Sequence, residues 1–186
     1  MKILYIAKFF PPEYGGIENL SKSLFDFFHK KKNIVEVICF SKEKTYVSRK
    51  NIYKINYFKP LISIFSAPIS LAILIFIFKN YKKYDCIHFH SPNPVIEIFL
   101  IFLPIKKLIV SWHSDIISQK FLKYFFKPFQ YLLLKKSHRI ICTSKTYANS
   151  SNYLKLFNFK TVIIPSILKK KNKKLKKINK KKISIL

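Results

Sequence analysis

Three short stretches of this 186-residue chain carry residue types that could do chemistry. The first is Phe10-Pro11-Pro12-Glu13-Tyr14-Gly15-Gly16, which leads from an apolar run into a helical one. Paired glycines let the backbone approach a ligand closely, and the helix behind them offers free N–H groups suited to a phosphate. Neither G-x-G-x-x-G nor a Walker loop is present, so the spacing alone leaves an ordinary turn open. Glu18 follows in the first helical turn, where the helix dipole favours an acid. The second stretch is Ile87-His88-Phe89-His90-Ser91-Pro92-Asn93-Pro94. On a strand, His88 and His90 share one face. A zinc ion would need a third ligand and only Cys86 lies nearby in sequence, so histidine packing near a strand end is the preferred reading. The third is Trp112-His113-Ser114-Asp115, an imidazole that can hold or donate a proton near neutral pH with a carboxylate able to orient it. No serine is marked as activated, so no Ser-His-Asp triad is inferred.

These stretches need a scaffold, and the chain supplies an alternation of short β-branched runs with helical ones. The pattern predicts strands over Lys2 to Ala7, Ile34 to Phe40, Asn51 to Tyr57, Cys86 to His90, Lys107 to Trp112, His138 to Thr143 and Thr161 to Ile164. Helices are expected over Ile17 to Lys30, Leu61 to Tyr81, Pro94 to Pro104, Ser118 to Lys136 and Lys145 to Leu156. Seven strands joined mostly by helices make an α/β, doubly wound parallel sheet. In such sheets ligands sit beyond the carboxyl ends of the strands. The positions just past the strands are Lys8 to Gly16, Ser41, His90 to Asn93, His113 to Asp115, Ser144, and Pro165 with Ser166, which gather nearly every unusual residue in the chain.

Composition bounds the rest. Hydrophobic residues make up 49% of the chain, which excludes wholesale disorder. Lys and Arg number 36 against 8 acids, a net charge of +28, so an anionic partner or surface is expected. From Lys169 to Lys182 ten of fourteen residues are lysine, without the interleaved aromatics of a single-strand nucleic-acid groove. That tract is expected to be solvated, with only non-specific attraction to RNA or anionic lipid. Three isolated cysteines, Cys39, Cys86 and Cys142, and the lack of a signal peptide fit a cytoplasmic protein. Leu61 to Phe78 is uncharged and long enough to span a bilayer, but Pro68 with Ser63, Ser66 and Ser70 favours a buried or interfacial helix.

The opening strand with Pro-Pro and Gly15-Gly16-Ile17-Glu18, the segment IHFHSPNP, the segment WHSDIISQK, and IICTSKTYANSS followed by Leu154 occur in one order over residues 2–168. Together they resemble family 4 glycosyltransferases, of the bacterial mannosyltransferase-like kind acting in polysaccharide or lipid-linked glycan synthesis. The resemblance implies a GT-B architecture of two Rossmann-like domains, retention of anomeric configuration, no essential metal and no cofactor. A nucleotide sugar such as GDP-mannose or a UDP-sugar would be the co-substrate. Carried over by position, Gly15 and Gly16 would approach the donor diphosphate and His113 would be the catalytic histidine. Glu18, His90, Asn93, Asp115, Gln119, Lys120 and Ser144 would line or support substrate.

There are departures from the family pattern. Pro165-Ser166-Ile167 lacks the turn glycine usual there, and the second domain's Arg/Lys pair and E-x7-E region are not found. Residues 1–168 are thus expected to form the N-terminal, acceptor-side domain, with 169–186 a lysine-rich linker and the start of the second domain, cut short by a frameshift, a split gene or deliberate fragmentation. The expected function is the acceptor-binding half of a retaining glycosyltransferase, inactive or incomplete alone. Its expected partners are a nucleotide sugar, a glycan or lipid-linked acceptor, a separate C-terminal half and an anionic membrane at the inner face, with no specific nucleic acid. The alternative is a non-catalytic basic module on a membrane surface or nucleic acid.

Overall fold

The computed structural model describes residues 1–12, 15–50, 53–64, 67–115 and 120–165. The lysine-rich stretch and the start of a second domain expected at 169–186 lie outside them. The first half runs β1 (Lys2–Ile6), α1 (Gly16–Lys30), β2 (Ile34–Phe40), β3 (Tyr46–Lys50), β4 (Tyr53–Phe58), β5 (Ile62–Ile64), β6 (Ala67–Ile69) and α2 (Leu71–Asn80). The second runs β7 (Cys86–Ser91), α3 (Pro94–Phe102), β8 (Leu108–Trp112), α4 (Lys120–Lys136), β9 (Arg139–Cys142), α5 (Lys145–Ser150), α6 (Asn152–Leu156) and β10 (Thr161–Ile163). The main sheet has the order β10-β9-β8-β7-β1-β2-β4-β3, parallel throughout except for the antiparallel edge strand β3. This is the α/β, Rossmann-like doubly wound sheet expected from the alternation.

Both faces of the sheet are covered, so its central strands are apolar on both sides. On one face Leu4, Ile6, Ile38, Phe40, Ile87, Phe89, Val110 and Trp112 pack against Ile73 and Ile77 of α2, Ile96 and Leu100 of α3, and Leu133 and Leu134 of α4. On the other, Ile3, Tyr5, Ala7, Val37, Cys39 and Cys86 meet Phe25 of α1. All three cysteines are buried, and none forms a disulfide.

Two lysines are built into the packing. Lys136 Nζ donates to the carbonyls of Leu100 at 2.9 Å, Ile101 at 2.7 Å and Leu103, closing the carboxyl end of α3. Lys160 Nζ donates to Lys135 O at 2.9 Å and Ser137 O at 2.7 Å, doing the same for α4. Unsatisfied carbonyls and the negative end of the dipole make helix C-termini natural places for cations. Burial pushes both amines down from their ordinary values.

Three elements differ from expectation. The helix expected from Leu61 begins only at Leu71, because the first half forms the β5–β6 hairpin, in which Ser63 lies opposite Pro68. Proline has no N–H for a helical bond, and Ile62, Ile64 and Ile69 are β-branched. The edge strand β3 is additional, pairing Tyr46 with Tyr57 and Arg49 with Lys54. The helix expected over Lys145 to Leu156 is broken at Ser151, whose hydroxyl caps α6 by accepting from Leu154 N at 3.4 Å. Among the described residues no helix is long and apolar enough to cross a membrane.

Candidate active-site cleft

The chain leaves β1 for α1 and β2 on one side and later returns to β7 on the other, so the strand order reverses between β1 and β7. The connections that leave their carboxyl ends run to opposite faces of the sheet, to α1 and α3, and this topology places ligands between such connections. Gly15, in extended backbone at φ −172°, caps α1, and Gly16 is its first residue. The Glu18 carboxylate lies where a Cβ on Gly15 would stand, whereas a Cβ on Gly16 would meet nothing within 4 Å. Gly15 thereby admits the carboxylate to the helix N-terminus and Gly16 leaves its backbone open. Lys8, just past β1, is pushed down by burial, with the charge of Glu18 opposing. Glu13 and Tyr14 lie outside the described residues.

Beside this loop stands a row of imidazoles on the face that α1 covers. His88 and His90 do share a face of β7, with ring centroids 5.0 Å apart. His113, just past β8, stacks on His90 at 4.9 Å, and His90 Nδ1 lies 2.8 Å from His113 Nε2. His88 Nε2 lies 2.8 Å from Ser111 Oγ. Tyr5 of β1 packs its ring against His88 at 4.9 Å and His90 at 4.8 Å, which links β1, β7 and β8 through side chains. Burial holds His113 down to about 4 and His88, with help from the charge on His113, down to about 3. His90 is pushed well below its ordinary value by burial and by its two histidine neighbours. At neutral pH the row is uncharged. No metal-holding group of three or more His, Cys, Asp or Glu occurs among the described residues.

The other candidate residues are engaged within the chain. Asp115 Oδ1 accepts from Trp112 Nε1 at 2.8 Å, Tyr147 Oη at 2.7 Å and Ser151 Oγ at 2.9 Å. It clamps the loop after β8 to α5 and α6, and it lies with the tryptophan rather than with the His113 ring it was expected to orient. Asn93 is buried, caps α3 by accepting from Ile96 N at 3.3 Å, and donates to Pro68 O at 3.2 Å. Ser144 caps α5, accepting from Tyr147 N at 3.3 Å. His90 is only 3% exposed, which gives it a place behind His113 instead of on the cleft wall. Gln119 lies outside the described residues, as does the side chain of Lys120. Sequence reasoning missed Tyr5, Ser21 and Ser111, which complete the polar row, and Glu97, which accepts from Ser91 Oγ at 2.7 Å and Asn93 N at 3.2 Å. Ser21 carried a faint signal, a polar residue on the helix face that Phe25 and Phe28 make apolar.

Comparison with known proteins gives concordant results. A family model described as Glycosyltransferase Family 4 matches residues 14–166. The O-antigen chain mannosyltransferase C of Escherichia coli is 33% identical over 172 residues, which cover 89% of this chain and 45% of the relative. The D-rhamnosyltransferase WbpZ of Pseudomonas aeruginosa is 28% identical over 93 residues, covering 47% of this chain and 24% of the relative. The chain thus spans less than half the length of these curated relatives. Among solved structures, an alpha-glucosyltransferase in complex with UDP and a 13-mer DNA superposes with a TM-score of 0.52 at 13% identity. The match covers 87% of this chain and 40% of that one, a likeness of fold.

Proposed function

This chain belongs to glycosyltransferase family 4, and we propose that it forms the acceptor-side wall of a retaining glycosyltransferase whose donor is a nucleotide sugar such as GDP-mannose or a UDP-sugar. The observation that carries this reading is that the helix N-terminus at Gly15 and Gly16, where Gly16 leaves its backbone open, and the neutral imidazole of His113 follow β1 and β8, the strands on either side of β7 at the switch point. Backbone N–H groups at a helix start suit a diphosphate. An uncharged imidazole can donate a hydrogen bond to a sugar oxygen without repelling a cationic anomeric centre, and its stacking on His90 fixes it before substrate arrives. A second domain would close the cleft from the opposite side. The acceptor is read as a glycan or lipid-linked glycan, supported by the O-antigen mannosyltransferase relative.

The test is sugar transfer from GDP-mannose or a UDP-sugar to a mannose-bearing acceptor, measured with this domain joined to or mixed with a donor-binding domain. His113→Ala should lower kcat by about 100-fold or more, the scale of losing one preorganised hydrogen-bond donor. Transfer undiminished by that substitution would overturn the assignment.

Peripheral association with a membrane is a compatible second reading. Leu71, Ile75 and Phe78 are exposed on α2 at helical spacing, near the exposed Leu61 and Ile62 of the hairpin.

A further inference from the structure

We propose that His90 is a positioning residue that holds His113 as its Nδ1–H tautomer, so that His113 meets substrate as a hydrogen-bond donor and not as a base. The 2.8 Å separation between His90 Nδ1 and His113 Nε2 has room for one proton. Burial keeps both rings neutral, so each carries one N–H, and the unsettled point is which ring donates across the contact.

The far side of His90 decides it. His90 Nε2 is buried with no hydrogen-bond partner among the described residues, and so is Nδ1 of the neighbouring His88. The hydroxyls of Tyr5, whose ring packs on both histidines, and Ser21 lie beside one another on this face, and neither bonds His90 Nε2. Each hydroxyl can donate to the other or accept from it. A proton on His90 Nε2 would bury an N–H without an acceptor, and orphaned N–H groups are the rarer and costlier case. A proton on Nδ1 instead leaves Nε2 as a bare lone pair, the less costly atom to leave unpaired. His90 Nδ1–H therefore donates to His113 Nε2. The proton of His113 must then sit on Nδ1, which has no partner among the described residues and is left to bind a lone pair, such as that of a sugar hydroxyl. The role in transfer rests on the glycosyltransferase reading, whereas the tautomer does not.

Imidazole 15N NMR of the histidine-labelled chain, without sugar nucleotide and near pH 7.5, reads the tautomer directly. His113 should show a protonated Nδ1 and an unprotonated Nε2. His90→Asn, which keeps an N–H near the place of Nδ1, should preserve that pattern. His90→Phe, which keeps the ring stack without the donor, should move the proton of His113 to Nε2. A wild-type His113 protonated at Nε2 overturns the proposal whether or not the variants fold, and so does a folded His90→Phe chain with the pattern unchanged. Because no substrate is present, loss of the transferase reading would leave this result standing, and the reverse also holds.

Discussion

His88, His90 and His113 have folded-state values below the ordinary histidine value, so in mild acid the unfolded chain binds more protons than the folded one. Their burial therefore costs nothing above about pH 6.5 and destabilises the fold progressively as pH falls from there. For His113 the penalty stops growing near its folded value of about 4, and for His88 near about 3. Each group contributes a slope of at most about 1.4 kcal/mol per pH unit. Glu36 adds loss in the same direction at lower pH. Burial raises it, but hydrogen bonds from Lys54, Tyr84 and Asn56 leave it below the usual carboxylate range. Urea unfolding at stepped pH should show stability falling steeply below pH 6.5, and His88→Leu should flatten the fall by about one histidine's share. A wild-type curve level between pH 7 and 5 would contradict the buried neutral row. His113 was legible because it follows an apolar run directly. Its bond to His90 was not, because it depends on the register that sets His90 opposite Ser111 across β7 and β8.

At the scale of elements, α2 shows what periodicity reads and what it misses. The apolar run was plain, but Pro68 divides it into a hairpin and a ten-residue helix, far short of a bilayer's thickness. Ile73 and Ile77 turn inward, while Leu71, Ile75 and Phe78 are 57%, 44% and 62% exposed. Lys79, Lys82 and Lys83 follow at the carboxyl end, a placement that suits an apolar face dipping into an anionic interface. Burying each such side chain is worth roughly 1.5–3 kcal/mol. Flotation with vesicles containing anionic lipid should therefore recover the wild-type chain, and Leu71→Ser/Ile75→Ser/Phe78→Ser should weaken partitioning by about tenfold or more. Equal flotation of the two would assign attraction to charge alone. The edge strand β3 went unread because among the described residues it pairs with β4 alone, and nothing local distinguishes a charged edge strand from a loop.

For the whole molecule, the alternation of strands and helices made the doubly wound sheet legible, and motif order over most of the chain made the family legible. The strand order supports the proposed cleft, since β8, β7 and β1 are consecutive and successive strands lie about 4.8 Å apart. The loop after β1 and the imidazole after β8 are then about two strand spacings apart, within reach of one nucleotide sugar. Only two glycines occur in the chain, so 15N-glycine labelling gives two backbone signals, both at the helix N-terminus. Titrating GDP-mannose, or a UDP-sugar in a parallel sample, while following those signals together with the His113 ring tests the claim most directly. Gly15, Gly16 and His113 should shift along one saturation curve. A donor that moves His113 but leaves both glycines unperturbed, or the reverse, would contradict it.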